Sequence, residues 1–160
     1  MQPNINLADK NTREYMEKQT ASGRYALLIT AVFTAVNLLL VLMNTGRYIV
    51  YSASIPYYMT SLAKAMDSYY GTTYLAEAAP LACLITALYF LLWLLSRRAS
   101  KWLLPALVLF SVDTAVLLYA AFFMMSNPMN CVLDLFLHGW VIWQLLQGYR
   151  CGKRLQAVDG

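Results

Sequence analysis

Residues 102–125 read WLLPALVLFSVDTAVLLYAAFFMM, 24 residues with one charged side chain, Asp113. A helix crossing a hydrocarbon core of about 30 Å needs roughly 20 apolar residues, and this run is long enough. Three more stretches match it: about 25–43 (YALLITAVFTAVNLLLVLM), about 78–95 and about 131–148. Transmembrane β-strands would instead appear as alternating segments of about ten residues, which are absent. The reading is an all-α, four-helix transmembrane bundle.

Composition agrees. Sixty per cent of the 160 residues are apolar and 12% are charged, whereas soluble domains carry about 25% charged residues. So few charges cannot cover a water-soluble surface of this size, and a lipid bilayer is the expected partner. The first 24 residues include Asp9, Lys10, Arg13, Glu14, Glu17, Lys18 and Arg24. They have no apolar core with a small-residue cleavage site, so no signal peptide is expected. The first 20 residues are expected to form a mixed-charge helix or to be partly disordered, and the last ten to be disordered.

Lys/Arg placement gives the orientation. Lys10, Arg13, Lys18 and Arg24 precede span one, Arg97, Arg98 and Lys101 separate spans two and three, and Arg150, Lys153 and Arg154 follow span four. In a four-span chain these ten share one side, leaving Arg47 and Lys64 on the other. Residues 1–24 and 150–160 are then cytoplasmic, 25–149 form the membrane domain and 44–77 an extracytoplasmic loop. Short outer loops and a basic inner side fit a bacterial plasma membrane. The net charge of +4 has this topological explanation, so no nucleic-acid partner is expected. Pro80 and Pro105 are expected in the first turns of spans two and three. Asn127-Pro128 marks a tight turn before span four.

The 44–77 loop holds seven of the twelve tyrosines, and Ile55, Met59, Leu62 and Met66 recur at helical spacing. That pattern predicts a short amphipathic helix lying in the outer interface. One expectation is a plain interfacial clamp. The functional alternative is a lid, with Tyr57, Tyr58 and Met59 over a cavity between the spans.

Ionisable groups inside spans are costly and need a reason. At 1.5 Å per residue, Asn37 and Asp113 lie about 18 and 16 Å from the inner face. Thr86 and His138 lie about 12 and 10 Å from the outer face, and Asp134 about 5 Å from it. Each span therefore adds one polar group to a layer near the midplane. Cys131, Asp134 and His138 share one face of span four.

Three readings of the layer compete. In the first the polar groups only hold helices together, as in a membrane scaffold or partner-assembly protein. In the second, Asp113, Asp134 and His138, with Asn37 and Thr86, bind or pass a small solute, ion or proton. In the third, Asp113, Asp134 and His138 bind a divalent metal in an enzyme acting on a lipid-like substrate. Two carboxylates and one imidazole make a thin metal signature, and no cofactor is otherwise expected. Ser111 lies about 200° from Asp113 around the helix, which discounts a nucleophilic triad. Cys83, Cys131 and Cys151 form no C-x-x-C pair, so thiol redox chemistry is not expected. Four helices are few to enclose a cavity, which makes a homo-oligomer an expectation, and Gly148 with Gly152 is a weak dimerisation signal. The second reading leads.

Overall fold

The computed structural model describes residues 12–123 and 131–159. Among them are five α-helices: α1 (Arg13–Leu42), α2 (Ser54–Tyr70), α3 (Tyr74–Arg98), α4 (Leu103–Phe123) and α5 (Val132–Asp159). A 3-10 turn, Ser100–Trp102, links α3 to α4. The expected Asn127-Pro128 turn and the end of span three at Met125 lie outside the described residues.

Three stretches, α1, α3 and Ser100–Phe123, are long and apolar enough to cross a membrane. Their surfaces agree. Leu84 on α3 is 67% exposed and Phe122 on α4 71%, whereas Asn37 on α1 and Asp113 on α4 are 1% exposed or less. Apolar side chains outside and polar ones inside is the arrangement a lipid solvent selects, and the chain is a membrane protein.

The fourth expected span differs. α5 is long enough at 28 residues, but Asp134, His138, Gln144 and Gln147 dilute its hydropathy, and it is not among the three. From Cys131, just before it, the buried positions run through Asp134, His138, Val141, Leu145 and Gly148 at three-or-four spacing to Cys151 and Gly152, so one whole stripe faces the bundle.

α1 packs antiparallel on α5 through glycine. A Cβ on Gly23 would meet the Gln144 carbonyl at 2.9 Å, and one on Gly148 would meet the Gly23 Cα at 3.1 Å. Ser22 Oγ donates to Gln144 Oε1 at 2.9 Å, and Thr20 Oγ1 bonds the Gly148 carbonyl at 3.4 Å. Gly152 presses on Ser100. The Gly148/Gly152 pair thus serves contacts within the chain. Those contacts also explain why residues 150–159 are helical rather than disordered: Cys151 and Gly152 are buried, and α5 simply continues. At the other end α1 already starts at Arg13, with Thr12 Oγ1 accepting the Tyr15 N–H.

Pro105 lies in the first turn of α4 as expected. Pro80 does not lie in a first turn, because α3 begins at Tyr74 rather than near residue 78, leaving the proline inside the helix. The earlier start has a specific cause. Asp67, near the end of α2, accepts the Tyr74 and Leu75 N–H groups at 2.7 and 2.9 Å and the Thr72 hydroxyl at 2.7 Å. Gly71 closes α2 in the left-handed region, φ 66°.

Candidate functional site

The amphipathic helix is present as α2, but its first turn is inside the bundle. After α1 the chain doubles back through residues 43–53, and Asn37 holds it there. Asn37 Oδ1 accepts the Ile49 N–H at 2.8 Å, while Nδ2 donates to the Ile49 carbonyl at 2.6 Å and to Ser52 Oγ at 2.7 Å. One amide thereby satisfies a backbone donor and acceptor that have no helix or strand partner. Tyr51 makes the reversal at φ 74°, a left-handed backbone that costs a bulky residue strain. Its ring is wedged edge-on between Phe33 and Trp140, with centroids 6.2 and 6.3 Å away. Thr34 Oγ1 then accepts the Ala53 N–H at 2.8 Å.

α2 starts at Ser54 without a side-chain cap from its own residue Ala53. Its orphan N–H groups point at α4 instead. Asp113 Oδ2 accepts the Ser54 N–H at 2.7 Å, and Oδ1 accepts the Ile55 N–H at 2.8 Å. A carboxyl at a helix N-terminus meets both the free donors and the positive end of the helix dipole. Lys64, three turns on, donates to the Val41 carbonyl at 2.7 Å and so satisfies the end of α1.

His138 completes this knot. Its Nδ1 lies 2.8 Å from the Asp134 carbonyl oxygen, which only accepts, so Nδ1 is the donor. Nε2 lies 3.2 Å from Asp113 Oδ2 and 3.3 Å from Ser54 Oγ. The same heavy atoms serve two proton counts. With a proton on Nε2 the ring donates to Asp113, and without one it accepts from the Ser54 hydroxyl. Phe110 stacks on the imidazole at 4.8 Å with planes 16° apart.

Asp134 is on the same face of α5, yet its carboxyl goes elsewhere. It turns towards the Tyr48 hydroxyl and the Tyr51 N–H. The residue is 5% exposed, and Oδ1 has no hydrogen-bond partner among the described residues. Tyr58 and Cys131 adjoin it. Tyr57 lies between Tyr48 and Tyr58, with ring centroids 4.5 and 5.4 Å away. Tyr58 and Met59 also wall a groove of about 520 Å³ between α2 and α4. These are the three residues expected to form a lid, and they sit on the first turns of α2, half-buried.

Of the expected layer, the structure joins Asp113 to His138 and places Asn37 beside the same segment. Thr86 does not join, since its hydroxyl bonds the Ala82 carbonyl of its own helix at 2.8 Å. The three residues proposed for a metal do not converge, because Asp134 reaches His138 only through its backbone. Among the described residues no three His, Cys, Asp or Glu are grouped to hold a metal ion. Thr34, Ser52, Ser54 and Tyr48 were not singled out by the sequence. Neither was Tyr89, which is fully buried, has a hydroxyl unpartnered among the described residues and lies within electrostatic reach of Asp113. Thr34 had a signal, being three residues before Asn37 on one helix face. Ser52 and Ser54 precede Pro56, a helix-start pattern. No protein-family model, curated protein or solved structure matches this chain.

Proposed function

We propose that this is a small four-span membrane protein, both termini cytoplasmic, that binds or passes a small solute, ion or proton at an intramembrane Asp/His site. α5 is the fourth span in this reading, buried through its polar stripe rather than apolar on all sides. The ten-to-two division of Lys and Arg supports the orientation. Residues 43–53 enter the membrane to about the depth of Thr34, roughly 14 Å from Tyr25 along α1, and α2 climbs back out. Irregular backbone at that depth is tolerated where protein buries it, and half-helix termini in membranes commonly face ions or charged groups.

The observation that carries the reading is Asp134. A carboxyl on a residue only 5% exposed, with one oxygen unpartnered among the described residues, is costly unless something binds it. It stands between the Tyr48–Tyr58 cluster and the Asp113–His138 knot, where a cation, a proton or a small polar solute would meet it first. Asp113 and His138 position the segment beneath and offer the two proton counts described above.

The test is flux in proteoliposomes under an imposed proton or monovalent-cation gradient, with an entrapped indicator. Wild type is expected to pass or bind at least one of these, and Asp134→Asn to lose it while melting as wild type does. Equal flux in the two proteins would sink the reading. A second reading, a non-catalytic scaffold, is favoured by one observation: Asn37, Thr34 and Asp113 spend their hydrogen bonds on residues 49–55. It predicts that substitutions in the layer change melting alone and that no gradient is dissipated.

A further inference from the structure

At the opposite end of the bundle from the tyrosines, two arginines face each other with, among the described residues, no acid between them. Arg24 lies one residue before Tyr25, where α1 turns apolar, and Arg97 lies in the last turn of α3. The charge that acts on Arg24 is Arg97, another cation. The Arg24 Nε is buried and has no hydrogen-bond partner among the described residues. Arg97 is held in place, its guanidinium 5.4 Å over the ring of Trp93 one turn earlier. Glu17, two turns before Arg24 on α1, is bonded to Arg13 at 2.9 Å. Between the arginines opens a cleft of about 510 Å³ lined by Ala21, Arg24, Tyr25, Trp93 and Arg97.

Two like charges brought together, one with a desolvated donor, form an arrangement that an anion relieves. Guanidinium forks match the paired oxygens of a phosphate, which lysine does not. We propose that this cleft binds a phosphate-class oxyanion, with Arg24 and Arg97 as its two arms and Trp93 fixing the second. The ligand chemistry is a phosphate oxyanion, and its source is a lipid headgroup, a phosphodiester, or free inorganic phosphate. Tyr25, 65% exposed beside Arg24 at the end of the apolar run, puts the cleft at the level where lipid phosphates lie. The site is independent of the Asp/His reading.

The experiment is thermal melting of the full chain, delipidated in neutral detergent. Phosphatidylglycerol, phosphatidylcholine or inorganic phosphate is added at constant ionic strength. Phosphatidylglycerol is expected to raise Tm by roughly 5–10 °C at a hundredfold excess over Kd. Phosphatidylcholine, whose phosphate is offset by choline, is expected to act far more weakly. Arg24→Gln/Arg97→Gln loses most of the shift, while Arg98→Gln, next door but outside the cleft, keeps it. A shift from inorganic phosphate that also needs both arginines would assign the free anion, and a shift from phosphatidylglycerol alone the headgroup. If the double variant does not fold, Arg97→Gln decides, since that side chain is exposed and its loss removes only its contact over Trp93. The proposal is overturned if neither anion shifts the wild type, or if Arg98→Gln loses the response as much as the cleft variants do.

Discussion

Asp113 accepts two backbone N–H groups and faces an imidazole nitrogen, so each of its oxygens needs to be an acceptor. Asparagine keeps the shape but turns one oxygen into an NH₂ group, which would point a donor at a donor. Hydrogen bonds inside membrane bundles average about 0.6 kcal/mol and reach about 1.7. Three of them, two at a helix N-terminus, put the cost of Asp113→Asn at roughly 2–3 kcal/mol. Ser111→Ala is the control on the same helix, because Ser111 is exposed and bonds only the Leu107 carbonyl of its own turn. Its effect should stay within about 0.5 kcal/mol. Equilibrium unfolding in detergent measures both, and similar values for the two would mean that Asp113 does not hold α2. Both effects concern stability, whereas Asp134→Asn tests activity. The two carboxyls therefore have separable roles.

Helix contacts turn on two glycines that look alike in sequence and differ in space. Gly23→Ala puts a methyl within 2.9 Å of the Gln144 carbonyl, so α1 and α5 must part, at a cost of about 1–3 kcal/mol. Gly139→Ala meets nothing within 4 Å and should be neutral or stabilising by up to about 1 kcal/mol through helix propensity. Tm values for the pair in one detergent decide the matter, and a stable Gly23→Ala with a damaged Gly139→Ala would reverse the packing described. The α2–α3 corner responds to pH instead. Slight desolvation tends to raise the Asp67 carboxyl, but the Leu75 N–H, the Thr72 hydroxyl and the Tyr74 N–H outweigh it and hold it below 3.8. A depressed carboxyl gives stability that is complete above its unfolded value and is lost as pH falls through the folded one. Hydrogen exchange at Tyr74 and Leu75 should therefore quicken, relative to the rest of α3, only below about pH 4. Asp67→Ala should show that local opening already at neutral pH, and no change in it would remove Asp67 as the cap. Helices were legible in the sequence because apolar runs and their lengths report on solvent directly. Their ends were not, since α2 and α3 are capped by Asp113 and Asp67, side chains outside the helices they cap, in α2's case nearly sixty residues away.

Across the whole molecule, depth was readable and direction around each helix was only partly so. Counting residues along antiparallel helices brought Asn37, Asp113 and His138 close to one level, because the rise per residue is fixed. It could not say that Thr86 bonds its own helix or that Asp134 looks outward to Tyr48, as both depend on how each helix is rotated. The path of residues 43–53 was the larger omission. An amphipathic period is the same for a helix lying on a membrane and for one that starts inside a bundle, so the sequence pattern alone led to the surface. Thiol accessibility separates the two. In a background with Cys83, Cys131 and Cys151 replaced, single cysteines at Thr45, Ser52 and Ser68 are exposed to a membrane-impermeant maleimide in permeabilised membranes, where both faces are accessible. Thr45 and Ser68 are exposed and Ser52 is fully buried. Reaching position 52 requires the segment to leave Asn37 and Thr34, so it should react at least roughly ten times more slowly, the factor that about 1.4 kcal/mol of local opening imposes. A helix lying flat at the surface would expose the start and end of α2 alike. Equal rates at 52 and 68 would therefore return α2 to the interface and leave Asp113 without the helix it caps.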